Sequence, residues 1–238
     1  MFLNTLSVLL EAASFILLLG IIVFLLRGPF RRYPLVLLYC ALQLAANLSE
    51  DYVLRVLGEP RDTSRLFITL YWTDEVVLDL VLFLLVIAMT YRALEGSPMR
   101  AGIGRFLGAV VLIVLVVPFV LFHSRRFGTG WYNSTSQLLN FGAAIMNLGL
   151  WTALLGTKKR DPLLLRVSAG LGIAVTGAAI AYGLRKFTTA GGTERDLANL
   201  LKATTYVASV VIWFWAFLPT ARKSATPPAS VSSPTVQS

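Results

Sequence analysis

Apolar residues long enough in sequence to cross about 30 Å of hydrocarbon recur seven times along the chain. The runs are Thr5–Leu26, Leu35–Leu57, Leu66–Leu94, Arg105–Phe122, Tyr132–Gly156, Leu163–Leu184 and Leu197–Leu218. This pattern predicts an all-α, polytopic transmembrane bundle of seven helices over residues 1–219, with short connections. The first run has no Lys or Arg before it and is of full-span length, which predicts a retained helix rather than a cleaved signal peptide. After Pro219 the composition turns to Ser, Pro and Thr, "TARKSATPPASVSSPTVQS", and residues 220–238 are predicted to be a disordered tail.

Four of the runs carry polar stripes. "YWTDEVVLDLVLF", at the start of the third, brings in Asp74, Glu75 and Asp79, with Tyr71, Glu75 and Asp79 spaced to share one helix face. The second run has Gln43, Asn47, Asp51 and Arg55 at four-residue spacing, with Glu50 beside them. The fifth has Asn133, Gln137, Asn140 and Asn147, and the seventh has Asn199, Lys202, Tyr206 and Ser209; Glu11 adds an acid to the first. Charge exposed to hydrocarbon is penalised, so these stripes are expected to face inward and to converge on one half of the bundle. The candidate pocket is therefore Asp79, Glu75, Asp51, Glu50, Lys202, Gln137, Asn140 and Asn47. In its expected form Asp79, Glu75 and Asp51 line a cavity open to the outer face, Lys202, Gln137 and Asn140 lie opposite, and Asp79 pairs with Lys202 when the site is closed. The plainer alternative is a set of structural contacts, such as an Asp51–Arg55 pair one turn apart and Asp74 and Glu75 in headgroup water.

Charge gives the bundle a direction. If the first, third and fifth connections and the tail share one side, that side holds 12 of the 21 Lys and Arg and only two of the 12 acids, Glu95 and Asp161. The other side holds nine bases and ten acids. The bias predicts an outside N-terminus, a cytoplasmic C-terminus and residence in the cell (inner) membrane. Trp72, Trp131, Trp151, Trp213 and Trp215 fall near the run ends, as an aromatic belt does. Arg27, Arg31, Arg32, Lys158, Lys159 and Arg160 are expected to touch lipid headgroups, so the net charge of +9 is read as membrane orientation and not as nucleic-acid binding.

The hydrophobic fraction of 56% and mean hydropathy of +0.72 belong with a bilayer protein. Cys40 is the single cysteine and is expected to be a small buried hydrophobe; it excludes an intramolecular disulfide and a thiolate metal cluster. His123 is the single histidine, so haem and structural zinc lack ligands. A retinal protein would need a deeper lysine than Lys202, and no nucleophile elbow or aspartate-rich Mg²⁺ motif marks an enzyme. No cofactor is expected. Gly170, Ala174 and Ala178, and Gly104 with Gly108, are spaced for close helix approach within the chain or in a homodimer.

The stretches "FRRYPLVLLYC", "YWTDEVVLDLVLFLLVIAMTYRAL" and "TYVASVVIWFWAFL" resemble a group of uncharacterised seven-helix bacterial integral membrane proteins. The resemblance implies the same topology and attaches no activity to any residue. The function expected from the residues is that of a receptor-like protein or a scaffold or accessory subunit with an outward polar pocket, docked to a partner membrane subunit. The alternative is a carrier coupled to a small solute, a proton or another cation.

Overall fold

The computed structural model describes residues 2–28, 31–56, 58, 64–94, 100–121, 129–156, 161–185, 187–188 and 192–218. His123, Lys158, Lys159, Arg160 and the expected tail lie outside these residues. Among the described residues there are seven helices and no strand: α1 (Phe2–Leu26), α2 (Pro34–Arg55), α3 (Arg65–Ala93), α4 (Arg100–Leu121), α5 (Thr129–Gly156), α6 (Pro162–Arg185) and α7 (Thr193–Phe217). The helices match the seven apolar runs but extend beyond several of them. α4 begins five residues before Arg105, and α7 begins four before Leu197. Hydrocarbon length sets the apolar run, whereas a helix continues into the interface wherever its first turn is satisfied. In α7 that turn carries Glu194 and Asp196 at the positive end of the helix dipole.

Local chemistry fixes the helix starts. Pro34 and Pro162 occupy first-turn positions, where the missing N–H costs nothing. Ser64 caps α3, its Oγ accepting from the Phe67 N–H at 3.2 Å. Asp161 caps α6, its Oδ1 accepting from the Leu163 and Leu164 N–H groups at 3.0 and 3.3 Å. Just past α2, Gly58 adopts φ +66°, a left-handed conformation open to glycine at little cost.

Six helices form a closed ring in the order α1–α2–α3–α5–α6–α7, α3 also reaches α6 across the middle, and α4 packs on the outside against α5 and α3. The α6–α7 interface is the most extensive, and the reason is the size of the residues on α6. A Cβ on Gly170 would sit 2.6 Å from Trp213 Nε1, and one on Gly177 would collide with the Thr205 side chain. Among the described residues Gly104 meets the Tyr91 ring, at 3.5 Å, and Gly108 meets nothing within 4 Å, so there the α4 pair does not serve close helix approach.

Trp213 is fully buried, donates from Nε1 to the Val167 carbonyl at 2.8 Å and meets Tyr39 edge to face, so this tryptophan belongs to the core and not to a belt. Cys40 is a free, fully buried thiol, as expected. Among the described residues, four helices are long and apolar enough to cross a membrane: α1 over Leu9–Leu26, α3, α6 and α7. α2 falls short of that apolarity because of its Gln43, Asn47, Ser49, Glu50 and Asp51. Large apolar side chains such as Ile16, Leu112, Ile145 and Leu148 stand on the exterior, which suits a bilayer and not water.

Candidate functional site

The polar stripes meet at the end of the bundle formed by the starts of α3, α5 and α7 and the ends of α2 and α6. Glu75 and Asp79 stand one turn apart on α3 and look in the same direction. Lys202, from the third turn of α7, forms an ion pair with Glu75; the two side chains keep only 24% and 12% of their exposure. Tyr182, near the end of α6, lies between the acids. Its hydroxyl donates to Glu75, stands 3.5 Å from Asp79 Oδ2 and accepts from Lys202 Nζ at 3.2 Å. The expected Asp79–Lys202 pair is thus replaced by a Glu75–Lys202 pair with a tyrosine bridging to Asp79.

Asp79 is the deeper acid, 5% exposed. Ser136 and Asn140, one turn apart on α5, face its carboxyl group. The Asn140 amide also donates to the Ser136 carbonyl at 2.9 Å, while Ser136 Oγ and Asn140 Oδ1 are buried without a hydrogen-bond partner. Polar atoms left without a partner beside a buried carboxyl are costly. Arg185 and Lys202 flank the Tyr182 ring, with Arg185 Cζ 5.2 Å and Lys202 Nζ 5.1 Å from its centroid. Arg185 is steered by Asn199 of α7, whose Oδ1 accepts from its Nε at 2.9 Å. Glu50 of α2 adds an acid whose charge acts on Lys202.

The other expected members lie further out. Asn47 belongs to a ladder on α2 in which the Tyr39 hydroxyl donates to Gln43 Oε1 at 3.4 Å and Gln43 Nε2 donates to Asn47 Oδ1 at 3.2 Å. Asp51 turns outward and pairs with Arg55 at 2.8 Å, half-exposed, so it does not line the cluster with Asp79. Gln137 is half-buried on α5 and falls about 100° round the helix from Ser136, which takes it off the Asp79 face. Asp74 accepts from Ser49 at 3.4 Å across the α2–α3 contact, and Glu11 is exposed on α1. Tyr182, Ser136 and Arg185 were not anticipated. One signal for Tyr182 is present in the sequence: it continues the Gly170, Ala174, Ala178 series at four-residue spacing, on the inward face of α6.

At the opposite end, Arg27, Arg31 and Arg32 are exposed at the end of α1 and before α2. Arg32 pairs with Asp161 at 2.9 Å, and Arg92 stacks over the Tyr33 ring while donating to the Arg32 carbonyl. Among the described residues no group of three or more His, Cys, Asp or Glu is placed to hold a metal ion.

This architecture defines an all-α bundle with membrane-compatible helices and a buried acid–tyrosine–lysine cluster at one end. Comparison with protein-family models, with curated proteins and with solved structures gives no match.

Proposed function

We propose that the chain is a multi-pass membrane protein of the receptor-like or accessory-subunit kind, with an outside N-terminus, and that the Glu75–Tyr182–Asp79–Lys202 cluster is its responsive site. One observation carries this reading: a single phenol hydroxyl contacts a buried and a part-buried carboxyl group and an ammonium. A hydroxyl has one hydrogen to donate, so it serves Glu75 or Asp79 but not both. Neutralising Glu75 by a proton or a small cation removes the partner of Lys202 and turns the hydroxyl toward Asp79. Because Glu75 belongs to α3, Tyr182 to α6 and Lys202 to α7, the exchange weakens the hold of α3 on α7. α7 then conveys the change to the far side of the membrane, where a partner subunit reads it.

A second reading is a carrier coupled to protons or another small cation. It is favoured by the acids of the cluster, where Glu75 pairs with Lys202 and Asp79 is buried beside it. A buried carboxylate such as Asp79 is a natural place for a transported proton or cation.

Spin labels at Thr73→Cys on α3 and Thr204→Cys on α7, both exposed positions, test the first reading in nanodiscs, since native Cys40 is buried and stays unlabelled. The α3–α7 distance is expected to change with sodium, lithium or proton concentration in the otherwise native chain and to be insensitive in Glu75→Gln. A distance that is constant throughout and equal in both proteins overturns the responsive-site reading. Cation-driven acidification inside dye-loaded proteoliposomes, lost in Asp79→Asn, selects the carrier.

A further inference from the structure

A second built feature lies at the opposite end, where a groove of about 360 Å³ opens between the start of α2 and the end of α3. Leu35, Leu85, Ala88 and Met89 form its apolar wall, and Arg32 and Arg92 stand at its mouth. Tyr33 also lines it. Only 3% of Tyr33 is exposed, and its hydroxyl is buried without a hydrogen-bond partner. Burial, assisted by Asp161, pushes this phenol up to about 12, so it remains a neutral donor at any physiological pH. Tyr33 does not cap α2 with its side chain, and the positive end of that helix borders the groove. Asp161 partly neutralises Arg32, but that pair is exposed on the Arg32 side, and an exposed pair exchanges partners at little cost.

Two guanidinium groups, an orphaned phenol and an uncapped helix start recognise an anionic oxygen group, and the apolar wall beside them recognises an alkyl chain. We propose that this groove binds one anionic phospholipid, its phosphate held by Arg32, Arg92 and the Tyr33 hydroxyl and an acyl chain laid against Leu35, Leu85 and Met89. The proposal rests on the bundle lying in a membrane and is independent of the cluster at the other end. It differs from diffuse headgroup attraction in requiring a particular pair of arginines. It differs from a free phosphate site in using the apolar wall.

Native mass spectrometry of the delipidated full chain, titrated with phosphatidylglycerol, phosphatidylcholine or inorganic phosphate, tests it. One phosphatidylglycerol is expected to be retained in preference to phosphatidylcholine. Arg92→Gln is expected to weaken it about fivefold, the loss of one basic contact at a membrane surface. Arg27→Gln, on the same rim but outside the groove, is expected to leave it unchanged. Ala88→Trp fills the groove from an exposed position and is expected to abolish retention, and it decides the matter if Arg92→Gln does not fold. Equal retention of the two lipids, equal weakening by Arg27→Gln and Arg92→Gln, undiminished retention in Ala88→Trp, or binding of inorganic phosphate without phosphatidylglycerol overturns the proposal.

Discussion

Lys202 sits where a small change has large consequences, because its ammonium is mostly withdrawn from solvent and depends on Glu75 and on the Tyr182 hydroxyl. Breaking a buried pair from one side leaves a charge without compensation. Lys202→Met is therefore expected to cost about 3–5 kcal/mol, and pairing it with Glu75→Gln to recover most of that loss, as measured by unfolding of the purified protein in detergent. A double variant no more stable than Lys202→Met would show that the two side chains are not coupled. Asp79→Asn keeps the shape of the side chain and one acceptor oxygen, and the bundle is expected to remain folded. Much of this chemistry was visible in the sequence, because Glu75, Asp79, Lys202 and Asn140 interrupt apolar runs and a charge there demands a partner. Which partner was not visible. Glu75 and Asp79 are one turn apart on one face, so the choice between them depends on the depth at which α7 sits relative to α3, a distance that no spacing within either helix encodes. Tyr182 escaped notice for a related reason: a tyrosine in an apolar helix is unremarkable until the acids beside its hydroxyl are known.

At the scale of the element, the tightest constraint is the small-residue face of α6, which had a clear sequence signature in Gly170, Ala174 and Ala178. What spacing could not reveal was which helix approaches that face. The structure assigns Trp213 to Gly170, Thr205 to Gly177 and Asn147 to Gly172, so α6 is gripped by α7 and α5 together. Gly177→Ala is expected to force α6 and α7 apart and to destabilise the bundle by about 1–3 kcal/mol. Gly108→Ala on α4, where nothing lies within 4 Å, is expected to stabilise its helix by about 0.5–1 kcal/mol. Thermal denaturation of the two variants side by side checks the contrast, and equal effects would refute the packing argument. The same spacing that marks a real contact on α6 marks open space on α4, since periodicity reports a face and not what covers it. Helix boundaries were similarly half-legible: apolar length located every helix, but α4 and α7 start earlier because helical hydrogen bonding does not stop where hydrocarbon does.

At the scale of the molecule, the two ends of the ring differ in chemical character, and the difference bears on orientation. One end gathers Glu50, Asp51, Asp74, Glu75 and Asp79 with a few bases; the other presents Arg27, Arg31, Arg32 and Arg92 around a single described acid, Asp161. Basic segments are retained on the cytoplasmic side during insertion, whereas acids have little influence, so the arginine end is expected to face the cytoplasm and the cluster end the outside. The native thiol makes the test clean, because Cys40 is fully buried and does not react in the folded protein. In intact cells, a cysteine introduced at exposed Thr193, at the start of α7, is expected to be labelled by a membrane-impermeant maleimide. One introduced at exposed Arg27, at the end of α1, is expected to be labelled only after the membrane is opened. A cytoplasm-specific reporter fused after Ser238 is expected to be active in the same cells. The reverse labelling pattern with a silent but well-expressed fusion would invert the bundle: the groove would then meet the outer leaflet, and the cluster would respond to cytoplasmic rather than external cations. Labelling of both cysteines from outside would mean that the five helices between them, α2–α6, do not all cross the membrane. That would separate the apolar length of these helices, which the sequence displays, from their passage through the bilayer, which depends on insertion.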